Sequence, residues 1–544
     1  MYRHLFIIIA AFVLGGCAEK LDDSASPSEK GELERSYISV TLKADDMGTR
    51  ASDDYEYGTE AERYVKTAHF FLFNSDGSAF AVNAEGNNYI SVSINPTGTQ
   101  PGESNKPEEG PNVSDVKDKI LVFDNYKGRY PAYIVAVLNW DVAAPETSYT
   151  LQNLTEYLSS MRNATGNFVM SNSVYADLQG NVVKANVLTE ANIGKSEAEA
   201  KENPVNIFVE RVSAKVQLTA EGNVPGKNNT FNSNQSINGM PVYVQVLGWE
   251  LFNDYEQSFL MKHIYPQQWG SDAVGFLWND PLRFRSYWAA SKTGDFPDNN
   301  FDWKNDVISP DGGVAYCAEN TRKAVKDASG NVTTDPLTKA IVKARLVKED
   351  GTSIEAARWY GHYYVGEEAL RTEVAGLLSS QFFFKDNETY KSIGSDDLKV
   401  VEAGQAPSGV DIEAYEVLFQ LSASGIEKDW YLRTPAGEYL AAPDDDVNKE
   451  IAAVEPALLY KDGQTYYFTD IRHLGQKESD SEFGIVRNHI YKVNIKDIKG
   501  FGTPVYNPET DFTKPERPEE VNSYVSAEVH ILSWKVVKRD YTVE

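Results

Sequence analysis

The last stretch of the chain constrains the fold most, because a strand pattern continues there to the final residues. Val525, Ala527, Val529 and Ile531 alternate with polar residues, which is the period-two pattern of a half-buried β-strand. More apolar residues follow, whereas chain ends are usually polar and frayed unless something holds them. Residues 523–544 therefore need a groove, either in their own sheet or in another molecule.

The two halves of this stretch favour different grooves. The first half is typical of the last strand of the protein's own core. We expect the second half to occupy a groove in a neighbouring subunit, for a reason that lies at the other end of the chain. The residues expected to enter that groove are Trp534, Val536, Val537, Tyr541 and Val543.

The body of the chain repeats short strand patterns separated by turn residues. Residues 68–73 and 489–495 read as strands, and 205–219 reads as one long strand. Helical spacing occurs only over short segments, near residues 151–161 and 370–377. This pattern predicts a mainly β protein made of β-sandwich domains with a few short helices.

Composition excludes several partners. The formal net charge is -28, which argues against nucleic acid and against an anionic membrane surface, because both attract Lys and Arg. The two cysteines, Cys17 and Cys317, cannot build a disulfide framework or a cysteine zinc site. We expect Cys317 to be a buried, small apolar residue.

Sequence signatures of enzymes are absent as well. The chain has no Gly-x-Ser-x-Gly elbow, no His-Glu-x-x-His helix and no phosphate-binding glycine loop. The seven histidines do not occur at metal-ligand spacing. Asp444 to Asp446 lacks the alternation of a calcium loop and is interpreted as a solvated turn. We predict no catalytic residues, no metal site, no cofactor and no enzymatic activity.

The N-terminus has the features of a bacterial lipoprotein signal. Arg3 and His4 precede a short apolar run, which is too short to span a membrane as a helix and is typical of a secretory signal peptide over residues 1–16. The ending Leu14-Gly15-Gly16-Cys17 resembles the lipobox, which predicts lipidation of Cys17 and anchoring by the attached acyl chains.

Residues 17–50 contain a strand pattern that is followed by a polar, acidic segment. The apolar residues of this strand are Ile38, Val40, Leu42 and Ala44, and the acidic segment has one arginine, Arg50, before Ala51. Exposed segments of this kind are where proteases cut, and a cut after Arg50 would make residues 17–50 a propeptide with a removable first strand. On the sequence alone, an ordinary hairpin loop is the better explanation of the same residues.

Ordered stretches of the second part resemble the fimbrilins of the type V, protease-assembled pili of Gram-negative anaerobes, specifically the Mfa-type short-fimbria shaft subunits. The resemblance covers most of residues 205–544, and the first third resembles the family in layout. The matching stretches are Val209-Glu210-Arg211-Val212-Ser213-Ala214-Lys215-Val216, Gly248-Trp249-Glu250-Leu251-Phe252-Asn253, Phe284-Arg285-Ser286-Tyr287-Trp288-Ala289, Tyr316-Cys317-Ala318-Glu319-Asn320-Thr321, Val486-Arg487-Asn488-His489-Ile490-Tyr491 and Ile531-Leu532-Ser533-Trp534-Lys535-Val536-Val537.

This resemblance implies a mechanism for both ends of the chain. A lipidated precursor reaches the outer membrane, and an arginine-specific protease cuts between Arg50 and Ala51. Loss of the first strand then opens an apolar groove with unpaired backbone groups. The C-terminal strand of the next subunit fills that groove by strand addition, and a head-to-tail contact that does not close produces a filament.

The resemblance also implies the organisation and the partners. The fold is two tandem transthyretin-like, Greek-key β-sandwich domains, at 51–203 and 204–522, followed by the C-terminal strand and donor tail at 523–544. The partners are further copies of the chain, anchor and tip accessory fimbrial subunits, and host or bacterial surface receptors. The location is a cell-surface fimbrium, with lipid anchoring in the precursor only.

Two alternatives stay open at this point. The chain fits a tip or accessory fimbrial adhesin, or a glycan-binding outer-membrane lipoprotein, although an apolar C-terminal strand favours a shaft subunit. Glu210 and Arg211 are adjacent on a strand and should make separate structural contacts, because their side chains point to opposite faces. Trp249, Trp288 and Trp534 are expected in cores or interfaces.

Overall fold

The protein is seen here in a computed structural model, and the predicted mainly β fold is confirmed. Sheets form most of its architecture, and the helices are few and short. The residues that the structure describes are 33–43, 58–94, 119–126, 129–141, 148–176, 181–264, 279–280, 285–286, 289–291, 300–301, 307–322, 325–329, 332–334, 336–473, 484–506, 512–513, 524–532 and 536–538.

The N-terminal part is built on one large sheet with a few short elements around it. Its strands are β1 Leu33–Lys43, β2 Thr67–Phe73, β3 Tyr89–Ser93, β4 Lys119–Tyr126, β5 Tyr133–Leu138, β6 Leu158–Ser160, β7 Met170–Asn172, β8 Tyr175–Ala176, β9 Val182–Val183, β10 Asn186–Val187, β11 Ile193–Gly194 and β12 Val205–Arg211. Its helices are α1 Glu60–Arg63, α2 Leu151–Glu156 and α3 Glu197–Glu202.

This N-terminal sheet has the order β11-β1-β12-β7-β5-β2-β3, with β4 paired to β1 and β10 paired to β5. The pairs that β1 makes with β4 and β11 are antiparallel, whereas its pair with β12 is parallel. Helix α2 ends at Glu156, so the helix predicted over 151–161 is shorter than expected. Residues Leu158–Ser160 instead form β6, which pairs with Gln257–Phe259.

Strand β2 is buried on both faces over its second half. Phe70 and Leu72 belong to a core that also contains side chains of β1, β5 and β12, here called the N-terminal core. Phe71 and Phe73 point the other way and belong to a larger core that continues into the second part of the chain. The apolar run from Phe70 to Phe73 follows from this two-sided burial, because none of these four side chains faces water.

The second part is a sandwich of two five-stranded sheets with small additional pairs. Its strands before the insertion are β13 Ser213–Ala220, β14 Thr230–Ile237, β15 Met240–Phe252, β16 Gln257–Phe259, β17 Asn279–Asp280, β18 Arg285–Ser286, β19 Asn300–Phe301, β20 Asp311–Ala318, β21 Val325–Lys326, β22 Val332–Thr334 and β23 Lys339–Val347.

An insertion follows β23 and has a hydrophobic core of its own, here called the insertion core. It contains β24 Ala356–Trp359, β25 His362–Val365, α4 Gly366–Leu378, β26 Phe382–Asp386, β27 Thr389–Ser392, β28 Leu398–Glu402, β29 Val417–Leu421, β30 Trp430–Arg433, β31 Tyr439–Ala442, α5 Asp444–Ile451 and β32 Leu458–Tyr460. The last strands are β33 Gln464–Asp470, β34 Ile490–Lys499, β35 Thr503–Pro504, β36 Phe512–Thr513, β37 Tyr524–Leu532 and β38 Val536–Lys538.

The two large sheets of the second part share one core. Their orders are β20-β13-β34-β37-β38 and β14-β15-β23-β33-β35. Val216 of β13 and Val493 of β34 lie in the same cluster as Val244 of β15 and Val342 of β23. Inner faces that meet in this way define a β-sandwich, as the sequence predicted.

The change from one part to the other occurs later than expected. The single strand predicted over 205–219 is two strands, because β12 pairs with β1 and β7 of the N-terminal sheet while β13 pairs with β20 and β34 of the sandwich. Only Val212, which is fully buried, lies between them. The pairing therefore changes at Val212 and not at the boundary of 203/204 predicted from the sequence.

The insertion was not predicted, and one of its elements corrects the sequence interpretation. Asp444 to Asp446 is not a turn but the first turn of α5, which begins after Pro443. Three carboxylates at this end are favourable, because a helix N-terminus carries a partial positive charge. The short helix expected near residues 370–377 is α4, which buries Leu370 and Val374 and leaves Leu377 half exposed.

Candidate functional site

The first strand is fully embedded in the N-terminal domain. Ile38, Val40 and Leu42 are 0% exposed, and all three belong to the N-terminal core with Phe70 and Leu72. Alternation places these three residues on one face of β1, as predicted for the removable strand. Each such burial stabilises the fold by about 1.5–3 kcal/mol. Ala44, the fourth predicted residue, lies outside the described residues.

Strand β1 is also hydrogen-bonded along both edges. Tyr37 is opposite Val122 of β4 on one edge and opposite Gly194 of β11 on the other. Val40 likewise lies between Lys119 of β4 and Val205 of β12. Within the described part of the chain, β4 and β11 pair with no strand other than β1. Removal of β1 therefore exposes backbone groups on three strands at once.

The predicted processing residues fall outside the described residues. These residues are Cys17, Arg50 and Ala51, and their roles stay predictions. The described chain stops at Lys43 and resumes at Gly58, shortly before α1. Arg50 thus lies in sequence between the embedded strand and the first described residues that follow it.

Helix α1 is held at the junction of the two domains. Thr59 caps it, and the Glu62 carboxylate accepts from the Thr59 backbone N–H at 2.6 Å. Glu62 is only 1% exposed, and its Oε1 lies 2.7 Å from Nζ of Lys215 in β13. The Tyr316 hydroxyl donates to the same carboxylate, and the Arg211 guanidinium donates to the Glu62 backbone carbonyl.

This arrangement sets the charge of the Glu62 carboxyl. Burial disfavours the charged form, but hydrogen bonds from Lys215, Tyr316 and Thr59 together hold the pKa of Glu62 below its usual value. The ion pair of Glu62 with Lys215 could not be predicted from the sequence, because the two residues are far apart in the chain. The Thr59-x-x-Glu62 spacing of a capping box was the local signal that could have located the helix.

A second buried group of charges lies close to the same junction. Glu210 accepts from Lys262 at 2.7 Å, and Glu319 accepts from Arg487 Nε at 3.0 Å. Arg487 also donates to the Leu260 carbonyl at 3.1 Å. Glu210 and Arg211 therefore make separate contacts, as predicted. Buried, paired charges of this kind hold packed elements in one arrangement, since breaking one pair leaves the other charge unpaired.

The C-terminal strand lies in the protein's own sandwich. Strand β37 is antiparallel to β34, from Tyr524 opposite Lys499 to Leu532 opposite Ile490. This confirms the interpretation of Val525 to Ile531 as the last strand of the core. Strand β38 turns back onto β37, where Val536 is opposite Leu532, and it ends the sheet order.

The predicted donor residues are thus only partly described. Val536 and Val537 lie in β38, at the edge of their own sheet in the single chain, and Trp534, Tyr541 and Val543 are outside the described residues. Trp249 is a core residue, 0% exposed, and its indole N–H donates to the Ser309 carbonyl at 3.1 Å. Trp288 is outside the described residues.

Other sites are sparse in the described part of the chain. No helix there has both the length and the apolar character needed to cross a membrane. Those residues also contain no group of three or more His, Cys, Asp or Glu arranged to hold a metal ion. Cys317 is fully buried, and burial raises the pKa of its thiol far above the usual range, consistent with the predicted apolar role.

The final part of the chain matches a known family. Residues 458–540 match the family described as "Major fimbrial subunit protein type IV, Fimbrillin, C-terminal". These residues are called here the fimbrillin region, after the family that they match. This fimbrillin region includes β33, β34 and the terminal hairpin of β37 and β38, so the resemblance inferred from the sequence is confirmed over these strands.

Several solved structures resemble the chain at low identity. A fimbrilin from Porphyromonas gingivalis is 11% identical with a TM-score of 0.35, over 91% of this chain and 96% of that chain. A candidate cell adhesion protein from Parabacteroides distasonis is 13% identical with a TM-score of 0.35, over 92% and 98%. The tip fimbrial protein from Porphyromonas gingivalis, with a C-terminal truncation, is 13% identical with a TM-score of 0.31, over 91% and 99%. Among curated proteins, no sequence matches significantly.

Proposed function

We propose that this chain is a non-enzymatic structural subunit of a surface fimbrium, of the Mfa-type short-fimbria kind, that polymerises by strand exchange after proteolysis. The fimbrillin region supports a fimbrial role. The observation that carries the proposal is the embedding of β1. This strand fills the N-terminal core and pairs on both edges, and Arg50 follows it in sequence before α1 begins.

The processing steps follow from this placement. The precursor is lipidated at Cys17 and lies at the outer membrane, and an arginine-specific protease cuts between Arg50 and Ala51. The cut separates β1 from the mature chain, while the Glu62 contacts hold α1 against Lys215 and Tyr316. Only the strand before the cut leaves, because the residues after it are tied to the second domain.

The vacated groove then accepts the tail of the next subunit. It exposes the apolar surface that Ile38, Val40 and Leu42 covered, together with the free edges of β4, β11 and β12. An added strand with alternate apolar residues covers the apolar surface and pairs the free edges. Its main-chain hydrogen bonds supply affinity, and its alternate side chains set the register. The apolar residues of the tail are Trp534, Val536, Val537, Tyr541 and Val543.

One detail of β1 favours its replacement. The hydroxyl of Ser39 is fully buried and has no hydrogen-bond partner among the residues that the structure describes. Such a group costs about 1–3 kcal/mol. An incoming strand with an apolar residue at this position avoids that cost, so the exchange gains stability over the precursor.

The terminal hairpin supports the other half of the exchange. Strand β38 is short, lies at a sheet edge and pairs only through Val536 to Lys538 with β37. Its release leaves β37 paired with β34 along its whole length. The tail can therefore leave its own sheet without opening the sandwich, which a donated strand requires.

Digestion of the unlipidated Cys17→Ser precursor tests this proposal. After treatment with an arginine-specific endoprotease, intact mass should show a chain that starts at Ala51, and unheated electrophoresis and negative-stain microscopy should show filaments. The Arg50→Ala variant should remain a monomeric precursor. The Arg63→Ala variant is the matched control, because Arg63 is the next arginine in the chain and lies in α1, and it should polymerise normally.

Two results would overturn the proposal. Filaments of normal length from Arg50→Ala would show that this cut is not needed. A chain that starts at Ala51 and stays monomeric with its tail still in its own sheet would show that the groove is not filled by a sister molecule. A tip or accessory adhesin, the alternative, should accept a tail but fail to donate its own.

A further inference from the structure

The insertion carries a small sheet with one face turned away from its core. This sheet has the order β27-β26-β30-β31. Phe382, Trp430 and Ala442 lie on the inner face and belong to the insertion core, and Phe384 and Leu432 pack against it. Because side chains alternate along a strand, the intervening residues lie on the outer face.

Four aromatic residues occupy the outer face, and here they are called the aromatic face: Phe383, Tyr390, Tyr431 and Tyr439. Tyr390 and Tyr439 stack in parallel, with ring centroids 3.8 Å apart and planes at 3°. Phe383 meets Tyr439 edge to face at 5.1 Å, and Tyr431 meets Tyr390 in the same way at 5.1 Å. The four rings therefore hold one another in place, while Tyr390 remains 37% exposed.

The charge on this face is opposite to that of the chain. The other outer positions on the four strands are Lys385, Ser392, Arg433 and Ala441, all exposed, and none is a carboxylate. Neither Lys385 nor Arg433 has an ion-pair partner in the part of the chain that the structure describes. By contrast, Lys391 alternates to the inner side and is paired with Asp386. In a protein with a net charge of -28, this is a cationic surface free of acidic residues.

The dimensions of the face limit what it can bind. Four strands of about four residues measure about 14 Å across and about 13 Å along, on the order of 200 Å². A stable protein interface buries about 800 Å² on each partner, so the face is too small to hold a folded protein. It matches an oligosaccharide of a few rings, which buries most of its surface on a few aromatic and polar groups.

We propose that the aromatic face binds an acidic oligosaccharide. The C–H groups of a pyranose ring carry partial positive charge and pack on the electron-rich faces of aromatic rings. The tyrosine hydroxyls and Ser392 are hydrogen-bonding groups that match sugar hydroxyls. Lys385 and Arg433 supply charge-assisted hydrogen bonds to a carboxylate or sulfate of the sugar. The face thus contains both the ring recognition and the charge recognition that an acidic sugar needs.

This binding site is independent of the proposed polymerisation. The aromatic face lies between residues 383 and 441, whereas strand exchange involves β1 and the tail that follows β37. The uncut Arg50→Ala precursor can therefore be tested as a monomer, and failure to bind sugar would leave the proposed assembly untouched.

Calorimetric titration of that monomer provides the test. The probes are a hyaluronan hexasaccharide and a sialyllactose, with neutral maltohexaose and a poly-glutamate peptide for comparison. The aromatic variant is Tyr390→Ala, and the charge variant is Lys385→Gln combined with Arg433→Gln. The matched control is Lys391→Gln, which removes one cation from the same sheet but from its inner side. Thermal melts verify that each variant folds.

We expect both acidic sugars to bind the parent protein and maltohexaose and poly-glutamate to bind at least about 10-fold more weakly. Tyr390→Ala and the charge variant should each weaken acidic-sugar binding by about 10-fold or more, and Lys391→Gln by less than about 2-fold. The absence of binding by both acidic sugars, or unchanged binding in folded Tyr390→Ala, overturns the proposal. Equal binding of poly-glutamate overturns it in favour of an acidic polypeptide, and equal binding of maltohexaose overturns the requirement for an acidic sugar.

Discussion

The first strand and the last strand of this chain both carry apolar residues but occupy opposite settings. Strand β1 lies inside a sheet, pairs on both edges and sends Ile38, Val40 and Leu42 into a closed core. Strand β38 lies at the edge of another sheet and pairs on one side through three residues. The difference shows that an apolar sequence indicates which residues are to be buried. It does not indicate how much stability their burial contributes.

Removal of β1 should produce the largest change in stability. We expect a chain that starts at Ala51 to lose about 5–9 kcal/mol of unfolding free energy in its N-terminal domain, because three fully buried side chains lose their cover. Denaturant unfolding of the monomer, followed by tryptophan fluorescence, measures this difference. A synthetic peptide of residues 533–544 should restore much of it. Equal stability with and without β1 would mean that the strand is not part of the core.

The next largest difference should appear between two point variants, one in β1 and one in β38. Leu42→Ala should destabilise the precursor by about 2–5 kcal/mol, because it leaves a cavity in a packed core. Val537→Ala should change the unfolding free energy by less than about 0.5 kcal/mol, because β38 is a short strand that pairs along one edge. Urea midpoints of the two variants provide the comparison. Similar losses at both positions would contradict the difference in setting.

The contacts of Glu62, which follows the proposed cut in the chain, should make a smaller, pH-dependent contribution to stability. The folded pKa of Glu62 is lowered, so its contribution to stability is present above its unfolded value of 4.5 and is lost as the pH falls through the folded pKa. Glu62→Gln should therefore cost about 1–3 kcal/mol at neutral pH, and the difference from the parent should shrink in acid. Thermal melts of the parent and the variant at several pH values between neutral and acid measure this difference in stability. A constant difference across that range would rule out the charged pairing with Lys215.

Deletion of the tail should have the smallest effect on the single molecule. A chain that ends at Leu532 keeps β37 on β34, so we expect the unfolding free energy of the precursor to change by less than about 1 kcal/mol. After digestion the same chain should form no filaments, because it has nothing to donate. Electrophoresis of the digested chain shows this, and the parent chain is the control. Filaments without the tail would assign donation to another segment.

Sequence patterns predicted the strands at both ends because alternation is a local property. The sequence indicated Ile38, Val40 and Leu42 in the same way as Val525 to Ile531, and the structure pairs both segments. Local patterns could not predict the contacts made over long sequence separations, such as Glu62 with Lys215 or Arg487 with Glu319. The first pair depends on how the N-terminal part meets the sandwich, and the second on how distant segments of the sandwich pack together.

The insertion was missed for a different reason. Its strands are short and its helices begin without a polar capping side chain, at Val365 for α4 and at Pro443 for α5. The acidic first turn of α5 was a usable signal, since carboxylates favour a helix N-terminus. The aromatic face could not have been predicted, because Tyr390 and Tyr439 are far apart in the chain and lie on opposite edge strands of the sheet.

The direct continuation of β12 into β13 has a mechanical consequence. In the proposed filament under tension, the wall of the groove continues into the sandwich through Val212, and β13 lies parallel to β34, which pairs in turn with β37. Pulling along these strands loads the hydrogen bonds of each ladder in shear, so many bonds must break together before the subunit yields. Peeling a strand away from one end would instead break its hydrogen bonds one at a time. Loading in shear would therefore give the proposed fibre tensile strength without a covalent cross-link.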